Sequence, residues 1–310
     1  MTSRAVTVKK VLVSGLFAVL ACLASPAAAA AQKSFPSPKA AAEALVAASE
    51  AYDVPALKEI LGPDGTDLVV TEDAVLDQKL AKEFAAKARE KLVVVPDPKK
   101  KSRATFTLGA DDWPVAIPVV KEKAGWRFDT AAGKHEVLIR RIGRNELDAI
   151  EICRGYVEAQ VQYATRRHDG ARVNQYAQKI VSTPGKRDGL AWQAKDGTWK
   201  GPVGEGVARA IAEGYSEKIE PYHGYLFKIL KGQGPSAPLG EMDFVVQGAM
   251  LGGFALVAAP ADYKVTGVKT FIVSHDGVVY EKDLGKETLE AFKAMERFDP
   301  DKSWSPVTTE

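Results

Sequence analysis

A chain of 310 residues that is 46% hydrophobic and 26% charged has the makeup of about two ordinary globular domains, which excludes a disordered, collagen-like or multi-span membrane protein. Its 42 basic and 40 acidic side chains leave a formal charge of +2. That near balance lacks the concentrated basic field of a nucleic-acid binder, so nucleic acid is not among the expected partners.

The first 31 residues read as a secretory signal. Arg4, Lys9 and Lys10 form a positive start, Val11 to Leu23 an apolar run, and Pro26 to Ala31 a stretch of small residues with a cleavage site at Ala29-Ala30-Ala31 before Gln32. Thirteen apolar-biased residues are too few to cross a bilayer core, which needs about 20, so no membrane span is expected after cleavage. Removal of the signal takes away three positive charges and no acid, leaving 39 basic against 40 acidic side chains, a net of −1. The expected location is periplasmic or secreted, with a lipid anchor on Cys22 as the alternative. Once cleaved, the chain keeps Cys153 alone, so core packing must hold it together without an internal disulfide.

Residues 32–142 read as an N-terminal domain of helices followed by strands. Ser37 is an N-cap with Pro38 at the first helical position, opening a helix to Ala51. A second helix fits Pro55 to Leu61, closed by Gly62, and a third Thr71 to Lys91. The period then changes. Leu92–Val95, Ala104–Leu108, Val115–Val120, Trp126–Phe128 and Val137–Ile139 are short β-branched or aromatic runs that predict an antiparallel sheet. Lys99, Lys100 and Lys101 fall in a solvated connection between two of them.

Residues 143–310 read as a C-terminal domain starting at Gly143. Asn145 caps a helix whose Leu147, Ile150, Cys153, Val157, Val161 and Ala164 recur along one face, which makes Cys153 a small core side chain. Pro184 to Gly206 is irregular, and Val207 to Tyr215 fits a short helix. Strands are expected at Gly224–Leu230, Phe244–Gln247, Gly253–Ala258, Lys269–Ser274 and Val278–Glu281, with His275-Asp276-Gly277 turning a hairpin. A last helix covers Lys286 to Phe298. The fold class is therefore α+β, as two helix-then-antiparallel-sheet units.

Six short words of the chain carry a family resemblance. They are Phe35-Pro36, Asp111-Asp112-Trp113-Pro114, Gly125 to Thr130, Arg140 to Leu147, Pro221-Tyr222-His223-Gly224-Tyr225 and Tyr280 to Gly285. In combination the chain resembles a bacterial exported family of unknown function, domain of unknown function 2950. The resemblance implies export and no activity. The Ala191-Trp192 that follows Asp188-Gly189-Leu190 departs from the Tyr-Trp often found there, which argues against an essential tyrosine. The second half is also similar to the heads of type IV pilins and pseudopilins, in the helix Glu146 to Thr165, the Phe254 to Ala258 strand and the run Val265 to Phe271 before the hairpin. A pilin needs a long apolar N-terminal helix, whereas this one begins mid-chain and carries Asp148, Glu151, Arg154 and Glu158, so it should not assemble. The first half is similar in element order to a nuclear-transport-factor-like cone.

Polar clusters that bear chemistry are few. Arg140, Arg141 and Arg144 at the expected helix start form a candidate anion site, since guanidinium groups bind carboxylate or phosphate bidentately beside free N–H groups; the alternative is a clamp on acids such as Asp129 and Glu146. Asp111 and Asp112 read as turn caps. None of His135, His168, His223 and His275 stands at a metal-ligand spacing, so neither a metal nor a cofactor is expected. His223 is singled out by Tyr222 and Tyr225 around it and by Gly224, which permits a close backbone approach. No Gly-x-Ser-x-Gly elbow, Ser-x-x-Lys pair or P-loop is present, and Gly204-Glu205-Gly206 lacks the strand a dinucleotide fingerprint needs.

The reading is an exported cell-envelope protein that binds or scaffolds an envelope protein, glycan or small anion without catalysis. Its candidate ligand residues are Arg140, Arg141, Arg144, Tyr222 and Tyr225. The competing class is an envelope hydrolase using His223 with Asp111, Asp112 or Asp188.

Overall fold

The computed structural model describes residues 32–70, 74–204 and 221–308. The export signal expected at 1–31, the start expected for the third helix at 71–73 and the short helix expected at 207–215 lie outside them. The chain divides into two compact units, the first ending at Thr130 and the second running from Ala131. Both combine helices with antiparallel sheet, so the class is α+β.

Unit one opens with α1, Pro38–Ala51, whose N-cap Ser37 accepts from the Ala40 N–H and which ends on Tyr52 in the left-handed conformation. Asp53 caps α2, Val54–Leu61, in the same way through the Ala56 N–H. These caps satisfy backbone donors that a helix start leaves orphaned. Helix α3 covers Ala74–Glu90. Strands β1 (Leu92–Pro96), β2 (Arg103–Leu108), β4 (Val119–Glu122) and β5 (Gly125–Phe128) follow in sheet order, with β3 (Trp113–Pro114) also paired to β2. Strand β2 alternates half-buried and buried residues, as a sheet with one covered face requires. Its Ala104, Phe106 and Leu108 meet Leu45, Leu57, Ile60 and Phe128 in the core, each large side chain contributing about 1.5–3 kcal/mol by leaving water.

A single long helix, α4, runs Thr130–Tyr163, all but its first residue in unit two. Two expectations meet it. Val137–Ile139, expected as a strand, is helical, and the Gly143 chosen as the division between domains falls inside the helix. An apolar triplet of β-branched type is only a weak strand signal; here the Glu136–Arg140 ion pair spans one turn of helix across it.

The connection from 164 to 204 carries only the ribbon β6 (Trp192–Gln193) with β7 (Trp199–Lys200). The main sheet then runs β16 (Ser305–Pro306), β15 (Val279–Asp283), β14 (Lys269–Ser274), β13 (Ala255–Pro260), β8 (Tyr225–Leu230), all antiparallel. Smaller pairs join β9 (Gly232–Gln233) to β10 (Met242–Asp243) and β11 (Val245–Val246) to β12 (Ala249–Met250). The expected hairpin forms between β14 and β15, with Gly277 at φ 79°. The last helix, α5, is Thr288–Ala294, shorter than the expected span because its C-cap Met295 is already extended.

Every residue of β13 is buried, the signature of a strand covered on both faces. In the paired β8, Phe227 stands opposite Ala258 and Lys228 opposite Val257. Lys228 reaches the Lys293 carbonyl and the Phe292 ring of α5, while the Tyr156 hydroxyl of α4 donates to the Ala255 carbonyl of β13. Because alternate side chains leave opposite faces, Phe227 points away from α5. No helix among the described residues is long and apolar enough to cross a membrane.

Candidate functional site

The site lies where two of the sequence words meet. Tyr222 and Tyr225 face each other across a tight turn, exchanging N–H to carbonyl bonds of 3.0 and 2.9 Å. The two residues between them, His223 and Gly224, have φ of 48° and 75°, the pattern of a type I′ hairpin turn. Only glycine suits the second position. A Cβ on Gly224 would sit 2.6 Å from Asn145 Nδ2 and 2.8 Å from Thr266 Cβ.

That close approach docks the turn on α4. Asn145 Nδ2 donates to the Thr266 carbonyl at 2.8 Å, and Glu146 Oε1 accepts from the N–H groups of Val268 and Lys269 at 2.9 and 3.0 Å. The Tyr225 hydroxyl donates to the Lys269 carbonyl at 2.8 Å. Burial, with the nearby Glu146 charge, pushes that phenol well above its usual range, so it stays a donor. One helical turn beyond Asn145, Asp148 Oδ2 accepts from His223 Nδ1. An ionised carboxylate only accepts, so the proton of a neutral imidazole sits on Nδ1 and Nε2 is left as an acceptor. The Tyr222 ring packs 4.3 Å from the imidazole.

The His223–Asp148 pair stands on the edge of a cavity of about 350 Å³. On α4 its lining residues are Asp148, Glu151, Ile152, Gly155 and Tyr156, a set spaced by three, four, seven and eight that falls on one helix face. Phe227 and Leu256 supply the sheet side, and Ile180, Leu190, Pro202 and Val203 come from the long connection. Gly155 opens the space, since a Cβ there would meet nothing within 4 Å. The walls are thus mostly apolar, while Asp148, Glu151 and His223 keep solvent exposure, the usual build of a small-molecule site. No Lys, Arg, Ser, Thr or Cys is among the described lining residues.

The other candidates are placed as follows. Tyr222 lines the cavity; Tyr225 is 1% exposed and braces the turn from behind. Arg140 is tied to Glu136 at 2.8 Å, Arg141 and Arg144 are exposed, and none of the three lines the cavity. Asp111 and Asp112 belong to unit one, where Lys87 of α3 and Lys91 just after it pair with them at 3.4 and 2.8 Å. The Lys91 hydrogen bond, with one from Thr107, holds the Asp112 carboxyl below its ordinary value. Asp188 is used within its own loop: it accepts from the Thr183 N–H and hydroxyl at 2.7 and 2.8 Å and pairs with Lys179 at 3.0 Å. The carboxylate beside His223 is Asp148.

The remaining histidines serve packing or the surface. His168 stacks on Tyr163 at 3.9 Å and contacts its carbonyl, His275 packs edge-on to Phe244 and Phe254, and His135 is exposed on α4. Cys153 is fully buried. Among the described residues no group of three or more His, Cys, Asp or Glu is placed to hold a metal ion.

Sequence reasoning missed Asp148, Glu151 and Gly155. In the sequence Asp148 and Glu151 stand out only as charges that set this helix apart from the apolar helix of a pilin, and the signal that joins them to Gly155 is their recurrence on one turn-to-turn stripe of α4.

A family model described as "Protein of unknown function (DUF2950)" matches residues 32–307. No curated protein and no solved structure matches the chain.

Proposed function

From the premise that the chain belongs to this family of unknown function, DUF2950, we propose that it is an exported, non-catalytic binding protein of the cell envelope. Its ligand site is the cavity of unit two. The observation that carries this reading is a half-open cavity of about 350 Å³ with mostly apolar walls and a few polar groups, among them Asp148, Glu151 and His223. The charged, apolar and small-residue runs of residues 1–31 support export. The absence of a serine, threonine, cysteine or lysine among the described lining residues weighs against covalent catalysis of the Ser–His, Cys–His or Schiff-base kind.

The test is a titration with the neutral, apolar, environment-sensitive dye N-phenylnaphthylamine. Saturable fluorescence in the wild type that is lost in Gly155→Trp supports the reading, because a side chain at 155 projects into the open space of the cavity. Equal binding by both proteins, or none by the wild type, overturns it.

A second reading is favoured by one feature, the His223–Asp148 pair. An imidazole oriented through Nδ1 by a carboxylate is poised to take a proton from water through Nε2, which would make the protein a hydrolase of esters with an apolar acyl group. Turnover of p-nitrophenyl butyrate that disappears in His223→Asn would favour this reading over simple binding.

A further inference from the structure

Resting on the reading of the cavity as a ligand site, we infer that its ligand is a cationic amphiphile, an apolar body carrying a protonated amine. The walls set the first half of that description. Ile152, Phe227 and Leu256 offer surface that only an apolar group can replace water against.

The edge sets the second half. Asp148 and Glu151 bring two carboxylates to the rim, and no Lys or Arg is among the described lining residues to balance them. Asp148 is hydrogen bonded to His223 through Nδ1, which leaves the imidazole Nε2 as an acceptor when the ring is neutral. Glu151 is exposed on the same helix face one turn from Asp148 and forms no ion pair with another described residue. The rim therefore presents acceptors and negative charge together. An ammonium group has three donors and no acceptor, so it matches all of these groups at once. A carboxylate or phosphate head would face like charge, and a neutral hydroxyl would gain the hydrogen bonds without the charge attraction.

The experiment is calorimetric titration of the purified protein at pH 7.5 with three ligands of one chain length: octylamine, octanol and octanoate. The expected order is octylamine at least tenfold tighter than octanol, with octanoate weakest. Glu151→Gln is expected to shrink the amine-to-alcohol ratio at least threefold. If octanol and octanoate bind as tightly as octylamine, or the ratio is unmoved in Glu151→Gln, the cationic inference is overturned. In that case binding of octanol that is blocked by Gly155→Trp leaves the ligand site itself standing. If none of the three binds, the ligand site fails and the inference fails with it.

Discussion

His223 donates through Nδ1 to Asp148, a residue 75 positions earlier in the chain. The contact exists because Gly224, next to His223, lets the turn come up against Asn145, three residues before Asp148. A turn conformation, a helix face and the rim of a cavity thus depend on one glycine.

Gly224→Ala tests that dependence. A non-glycine residue in the left-handed region costs about 1–2 kcal/mol, and the new methyl must also displace Asn145 or Thr266. The expected result is a destabilisation of at least about 1–2 kcal/mol by urea denaturation, together with weakened dye binding. His223→Asn, whose side chain suits positive φ, should keep stability within about 0.5 kcal/mol, as a surface change does.

Gly143 provides the opposite case. It lies inside α4 with no atom within 4 Å of its missing Cβ, so alanine gains helix propensity without a clash. Gly143→Ala should raise stability by about 0.5–1 kcal/mol. A loss of stability would mean that the chain is not helical at this position.

Cys153 should be chemically silent in the folded protein. Burial pushes its thiol up to about 12, and the thiolate is the reactive form. Alkylation with iodoacetamide at pH 8, mapped by peptide mass spectrometry, is expected to spare Cys153 in buffer and modify it fully in guanidinium chloride.

Asp188 should make a small, pH-dependent contribution. Burial alone would raise its carboxyl, but the Lys179 and Thr183 hydrogen bonds outweigh burial and hold it below its ordinary 3.8. A carboxylate depressed on folding stabilises fully above its unfolded value and loses that contribution as pH falls through the lower native value. Since a third of the side chain is exposed, solvent screening reduces the gain, and Asp188→Ala should cost about 1 kcal/mol at pH 7. The gap between variant and wild type should close as the pH is lowered past 3.8.

Much of the architecture was legible from local chemistry. Ser37 with Pro38, the Asp276-Gly277 hairpin and the burial of Ile150 and Cys153 were readable because a cap, a turn or a periodicity is decided by residues close in sequence, whereas Leu147 and Val161 of the same expected stripe are exposed. Helix α4 was half legible. Gly143 and the Val137–Ile139 run argue against a helix on propensity alone, and the Glu136–Arg140 ion pair that spans the run is invisible until the helix exists. The site was legible only at His223, through the glycine beside it. Its partner Asp148 lies on another element, and a carboxylate on a charged helix face gives no sign of what will dock against it. The arginines drew attention by charge, but none of them lines the cavity.

Photolabelling with an eight-carbon alkyl alcohol carrying a diazirine tests most directly whether the cavity of unit two is where the ligand sits. Adducts mapped by peptide mass spectrometry should be confined to Ile152, Tyr156, Phe227, Leu256 and their neighbours, and should vanish in Gly155→Trp. Adducts concentrated instead on the exposed apolar side chains of unit one, Leu80 of α3 and Val93 and Val95 of β1, would contradict the account.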